Sequence, residues 1–215
     1  MPSAQLKLYQ AEGSPNSRRV RIYLAEKGLD VQMVPVDLGA KEQFSDAYKA
    51  INPRQVVPTL VLPNGVSIGE VPAICRYLEE TFPDKPLLGR NAEEKAPVAM
   101  WERRMEQEGF AAVMEGVRNK VAGLKGRAIS GPHDYEQIPE LVTRNEQRVA
   151  NFHADLERRL AVSPFVAGQT FSVADITAVV AIDFAKGGLG AQIPEASAAT
   201  QRWYEALSAK PTFKA

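Results

Sequence analysis

The chain has 215 residues, 45% of them hydrophobic, and its 26 lysines and arginines balance 26 aspartates and glutamates to a formal net charge of +0. That length accommodates one domain or two, the apolar content is too high for wholesale disorder, and the neutral balance without a long basic run argues against nucleic acid or an acidic membrane as partner. A lone cysteine, Cys75, excludes an internal disulfide and a CxxC redox pair.

Taken in chain order, "LKLYQ" reads as a strand and residues 15–27 as an amphipathic helix, with Val20, Leu24 and Ala25 on one face. Ser14 is placed to cap that helix, Pro15 suits its first position, and Gly28 suits a left-handed end. "VQMVPVDL" reads as a second strand, followed by a polar stretch to Ala50. "PTLVLPNGVSIG" is predicted as a hairpin around Pro63-Asn64-Gly65, and "PAICRYLEETF" as a helix with Ile74, Tyr77 and Leu78 in register. This order makes an α/β unit of thioredoxin size. The proline-rich, charged stretch "PDKPLLGRNAEEKAP" reads as a linker, and no strand is predicted after it. Helices are predicted in "VAMWERRMEQEGFAAVMEGVRNKV", "ELVTRNEQRVANFHADLERRLA", "SVADITAVVAIDFA" and "AATQRWYEALSA". The third is apolar nearly all round, which suits the buried centre of a bundle, and Ser172-Val-Ala-Asp175 opens it as a variant capping box.

The sequence contains no GxGxxG, no Walker loop and no GxSxG elbow, and two histidines, His133 and His153, are too few for a typical His-rich zinc site, so no metal is expected. The N-terminal "MPSAQLKLYQ" has neither a signal-peptide core nor a spanning helix, and a cytoplasmic protein fits best.

Four segments, "SPNSRRVRIYLAEKGL", "INPRQVVPTLVL", "GVSIGEVPAICRYLEE" and "PFVAGQTFSVADITA", resemble the cytosolic glutathione S-transferase family, most closely its atypical branch of bacteria and yeast. The resemblance implies a thioredoxin-like glutathione-binding domain at 1–83, a linker at 84–94 and an all-helical electrophile-binding domain at 95–215. It further implies a homodimer that uses glutathione as co-substrate, a small hydrophobic electrophile as its second partner, and a role in detoxification.

Glutathione must be ionised to react, and a free thiol with a pKa of about 8.5 is only a few per cent thiolate at neutral pH. A helix N-terminus contributes ~0.3–1 kcal/mol to a nearby anion, whereas a hydroxyl donating to a charged acceptor contributes ~1.5–3 kcal/mol. The hydroxyl is the larger effect. By itself, Ser14 reads as a helix cap, and the two roles are compatible. The resemblance puts Ser14 in the place of the family's activating serine, with Asn16 and then Ser17 as alternatives. It also implies a cis peptide between Val57 and Pro58 that presents Val57 to the cysteinyl backbone, and Glu70 as receiver of the γ-glutamyl ammonium. Val71 stands where a serine or threonine usually holds the γ-glutamyl carboxylate. Gln43 and Gln55 are the candidates for the glycyl end. Trp101, Met105 and Arg118 are expected at the electrophile pocket, and Asn119 stands where the atypical branch commonly has histidine. Besides transfer, a glutathione-dependent peroxidase or disulfide reductase and a non-catalytic binding module of the same fold remain open.

Overall fold

In the computed structural model residues 3–215 are described, and the chain divides into two compact units. The first runs to Pro86 and also takes in Ser130–His133, and the second holds Leu87–Ile129 and Asp134–Lys214.

The first unit contains β1 (Lys7–Gln10), α1 (Pro15–Lys27), β2 (Gln32–Pro35), α2 (Asp46–Ile51), β3 (Thr59–Val61), β4 (Ser67–Ile68) and α3 (Val71–Thr81). The sheet order is β2-β1-β3-β4, with β1 parallel to β2 and the remaining pairs antiparallel. A parallel pair cannot be closed by a tight turn, so α1 serves as the crossover. This is the thioredoxin-like arrangement expected. Leu8 and Leu60 face each other across β1 and β3 and are fully buried, as are Ile22 of α1 and Ile74 and Leu78 of α3. A polar clasp joins α1 to α3. Glu79 accepts the Tyr23 hydroxyl at 2.6 Å and the Lys27 ammonium at 2.8 Å, and Lys27 also donates to the carbonyls of Asp84 and Lys85. Burial above all holds the Tyr23 phenol far above its ordinary range, so it stays a donor.

The short helix α2 lies inside the stretch that reads only as polar. Ser45 caps it by accepting the Tyr48 N–H at 3.2 Å. Tyr48 is its one buried residue, so it has no apolar stripe for periodicity to reveal.

The second unit contains α4 (Ala92–Arg104), a π-helical stretch Met105–Phe110, α5 (Ala111–Lys120), α6 (Glu140–Leu160), α7 (Val173–Leu189) and α8 (Ala198–Ser208). Two findings differ from the expected single helix after a linker. α4 already begins at Ala92, capped by Asn91 accepting the Glu94 N–H at 3.0 Å, and it continues through Pro97. Its continuation into α5 passes through the π-helical stretch, where Gly109 allows a close approach: a Cβ there would lie 2.6 Å from the Phe152 ring.

α7 is the buried centre of the bundle, with every residue from Val173 to Ile182 buried. Its N-terminus carries the capping box. The Asp175 carboxylate, 0% exposed, accepts the Ser172 N–H and hydroxyl on one oxygen and the Val166 N–H and Trp203 indole N–H on the other. One side chain thus fixes the start of α7, the loop before it and α8. α8 is capped from α6: Glu157 accepts the Ala199 and Thr200 N–H groups and the Thr200 hydroxyl, and these donors hold its carboxyl below the usual range.

Removal of the Asp175 carboxylate strands several buried donors, each costing roughly 1–3 kcal/mol. Asp175→Ala is therefore expected to lower the melting temperature strongly. Burial outweighs the four donors and pushes the Asp175 carboxyl up to about 6 from 3.8. The folded state then binds a proton that the unfolded chain has released, so this residue's contribution is full below pH about 4 and is lost as pH rises through about 6. Chemical denaturation between pH 4 and 7 is expected to show this slope in the wild type and to lose it in Asp175→Asn.

Candidate active site

Strand register brings four connections to one end of the sheet. Gln10, the end of β1, pairs with Pro35, the end of β2, while Tyr9 faces Thr59, where β3 begins, and Leu60 faces Ile68, where β4 ends. The bend before α1, the segment after β2, the loop before β3 and the Gly69-Glu70 step before α3 therefore share one edge. This gathers Ser14, Asn16, Gln55, Val57, Pro58, Glu70 and Val71, with Gln43 on the connection that leaves the same edge. Beneath them Ala11, Val36, Tyr48 and Val57 form a buried apolar cluster with Tyr9 and Leu38 packed against it. The Tyr9 and Tyr48 rings meet edge-on at 6.2 Å.

Ser14 is 8% exposed and caps α1 from an extended backbone. Its oxygen accepts the Ser17 N–H at 3.3 Å, which leaves the hydroxyl hydrogen available to an anion in front of the helix. Ser17 is fully buried, and its own oxygen accepts the Ala11 N–H at 3.2 Å. It shapes the bend. Asn16 accepts from Arg19 at 3.2 Å through Oδ1, and its amide hydrogens are uncommitted among the described residues. Arg21 staples the bend from behind, donating to the Gln10 side chain at 2.6 Å and to the carbonyls of Ala11 and Glu12.

The Val57–Pro58 peptide is cis. The carbonyl just before it, that of Val56, accepts from the Tyr48 hydroxyl at 2.7 Å, from Asn52 Nδ2 at 3.0 Å and from the Thr59 hydroxyl at 3.4 Å. Asn52 Nδ2 also reaches Thr59 Oγ1 at 2.9 Å, and Asn52 Oδ1 accepts the Arg54 N–H at 2.9 Å. Burial pushes the Tyr48 phenol up, keeping it a donor. The loop is therefore fixed from within.

Glu70 sits at φ 62°, ψ 124°, a conformation that costs a non-glycine residue on the order of 1–3 kcal/mol and recurs at ligand sites. Its carbonyl accepts the Ala73 and Ile74 N–H groups that start α3, and its side chain is exposed. Gln55 also has a positive φ, of 57°. Val71 is 4% exposed and packs in the core, while Gln43 is 6% exposed with its Oε1 unpartnered.

In the helical unit, Met105 is 2% exposed. The guanidinium groups of Arg104 and Arg159 lie 4.9 and 4.6 Å from the Trp101 ring. Arg118 donates to the Arg127 carbonyl, and burial lowers its pKa. Asn119 is committed at both ends of its side chain, donating to the Glu115 carbonyl and accepting the Ile138 N–H, each at 2.8 Å.

Family models for the glutathione S-transferase N-terminal domain and C-terminal domain match residues 8–86 and 135–215. A solved glutathione S-transferase domain-containing protein of Marinobacter aquaeolei is 33% identical, with 96% of this chain and 99% of that one covered at a TM-score of 0.88. The chain belongs to the glutathione S-transferase family. The structure of Gtt2 from Saccharomyces cerevisiae is similar at 30% identity and a TM-score of 0.87, covering 97% of this chain and 98% of that one. Maleylacetoacetate isomerase of Rattus norvegicus is 40% identical over 102 residues, which are 46% of this chain and 47% of that protein. Members of this family use glutathione as substrate.

For a glutathione S-transferase, the residues that sequence reading missed are the ones behind this edge: Tyr48, Asn52, Thr59 and Arg21. They touch backbone rather than an expected ligand, and only the folded register brings Tyr48 and Thr59 to Val56. Asn52→Ala removes the donor to Val56 and Thr59 and the acceptor for Arg54, and is expected to cost roughly 1–3 kcal/mol in stability. Glutathione affinity, measured by calorimetry below the melting transition, is expected to fall severalfold because the cis-proline loop loosens. An unchanged affinity would separate this network from the ligand edge.

Proposed function

We propose that the protein is a glutathione transferase that conjugates the thiolate of glutathione to small hydrophobic electrophiles, acting as a cytoplasmic homodimer in detoxification. The observation that carries this reading is the Ser14 hydroxyl at the first turn of α1, with its hydrogen uncommitted among the described residues. In the proposed step glutathione gives its thiol proton to solvent, Ser14 donates to the resulting thiolate, and the N-terminal amides of α1 add their field. Sulfur then bonds to the electrophilic carbon while a leaving group departs with its electron pair, or the adduct takes up a proton. The protein forms no covalent bond. Val57 would pair with the cysteinyl backbone, Glu70 with the γ-glutamyl ammonium, and the backbone at Val71 with the adjacent carboxylate. Gln43 and Gln55 remain the proposed contacts at the glycyl end, and Trp101 and Arg118 those on the electrophile side.

A second reading is glutathione-assisted isomerisation, favoured by the 40% identity to the rat isomerase across somewhat less than half of the chain. The same thiolate would add to a double bond, allow rotation, and leave again. Turnover with a chloronitrobenzene against isomerisation of a maleyl compound distinguishes the two.

Ser14→Ala is expected to raise the pKa of bound glutathione by about one to two units, with binding only modestly weakened. Ultraviolet thiolate absorbance, titrated in the complex, reads this directly. An unshifted curve would transfer the role to Asn16 or to a water-mediated contact.

A further inference from the structure

The bend that leads into α1 is a β-turn closed by one bond, the Ser14 N–H donating to the Ala11 carbonyl at 3.1 Å. Two more bonds return from the helix. The Ala11 N–H donates to Ser17 Oγ at 3.2 Å, and the Ser17 N–H donates to Ser14 Oγ at 3.3 Å. Ala11, Ser14 and Ser17 thus close a ring of bonds, each longer than the common value of about 2.9–3.0 Å. The tip of the turn has no packing to add: Glu12 and Gly13 are exposed, and a Cβ on Gly13 would meet nothing within 4 Å. Arg21 grips the turn from outside the ring, donating to Gln10 Oε1 at 2.6 Å, to the Glu12 carbonyl at 3.1 Å and to the Ala11 carbonyl at 3.3 Å. We infer that Arg21 is a positioning residue for thiolate activation: by holding the Ala11 and Glu12 carbonyls it sets where the Ser14 hydroxyl stands at the start of α1. This deepens the proposed transferase reading and rests on it.

Three observations support the role. First, the path is short and continuous. One carbonyl, that of Ala11, accepts from both Arg21 Nη1 and the Ser14 N–H, and the ring carries any shift of that carbonyl to Ser14 Oγ. A hydroxyl that loses its alignment loses most of its bond, because hydrogen bonds weaken steeply with angle. Second, the grip suits arginine alone. Three acceptors on the successive residues Gln10, Ala11 and Glu12 are shared between two nitrogens of one planar fork, a spread that a lysine ammonium cannot match. Third, every hydrogen bond of the Arg21 side chain among the described residues goes to this turn. The guanidinium ties down no other element there.

The test uses the full-length protein with Arg21→Met, Arg21→Lys, Ser14→Ala and the double variant Ser14→Ala/Arg21→Met. Ultraviolet thiolate absorbance in the complex reads the pKa of the bound glutathione thiol. Calorimetry reads the affinity for S-methylglutathione, which has no thiol to ionise. Arg21→Met is expected to raise the thiol pKa by about one unit, a roughly tenfold loss in ionisation constant, while S-methylglutathione affinity changes less than about twofold. Arg21→Lys, which keeps the charge but not the fork, is expected to shift the pKa in the same direction by a smaller amount. Should Arg21→Met fail to fold, Arg21→Lys still decides. In the double variant no shift beyond that of Ser14→Ala is expected, because Arg21 acts through the hydroxyl. A wild-type pKa in Arg21→Lys assigns any effect of Arg21→Met to charge and overturns the positioning role. A second full shift in the double variant, or a tenfold loss of S-methylglutathione affinity, overturns it as well. A shift in Ser14→Ala with none in the Arg21 variants overturns this inference alone. An unshifted pKa in Ser14→Ala overturns the Ser14 reading and this inference with it.

Discussion

Two parallel strands cannot be joined by a tight turn, and much of the first unit follows from that constraint. Because β1 and β2 run parallel, the chain must leave the end of β1, cross the sheet through α1 and return. The crossover puts a helix N-terminus at the strand end, where the first amide hydrogens lack intrahelical acceptors, Pro15 itself carrying none. Ser17 turns its oxygen back to Ala11, Ser14 caps the first turn, and Arg21 holds the carbonyls of the bend. The antiparallel return of β3 and β4 then delivers the cis-proline loop and the start of α3 to the same edge. On the proposed reading, a site for a peptide-like anion arises here from topology first and from particular side chains second.

Each unit fixes its geometry with a buried polar hub rather than with apolar packing alone. In the first unit Asn52 links α2, the cis-proline loop and β3 through one carboxamide. In the second, Asp175 links α7, the preceding loop and α8 through one carboxylate. The two differ in what they cost. A neutral amide with all its partners has little desolvation to overcome, whereas the carboxylate carries a penalty large enough to raise its pKa despite four donors. Asp175 therefore contributes less stability at neutral pH than in mild acid, while its four bonds still tie α7, the loop and α8 together.

Legibility in the sequence followed the range of the determining forces. α1, α3 and α7 were readable because apolar periodicity and caps are local, and the hairpin was readable from its Pro-Asn-Gly turn. α2 was not, since it buries Tyr48 alone, nor was the π-helical break, which shows only in the approach of Phe152 to Gly109. Ser14, Val57 and Glu70 were candidates from the resemblance, and the strand register brings them to one edge. The supporting groups Tyr48, Asn52 and Thr59 act on a carbonyl, and nothing in a linear pattern marks which carbonyl needs three donors. The grouping of Ser130–His133 with residues before Pro86 is more distant still.

The two departures from the family pattern have different physical meanings. Val71 brings apolar burial to the first residue of α3, so the loss of a hydroxyl there is matched by packing. Asn119 is committed to Glu115 and Ile138, tying the end of α5 to the chain that enters α6. Nδ2 keeps one hydrogen beyond the bond to Glu115, but Asn119 is 6% exposed and held in place by both bonds. On the proposed reading, thiolate stabilisation then falls on the first turn of α1. Ser17 accepts from Ala11, and Asn16 keeps only its amide hydrogens, which donate less strongly to an anion than a hydroxyl does. The Ser14 hydroxyl combines an uncommitted hydrogen with the N-cap position, where the field of α1 also favours an anion.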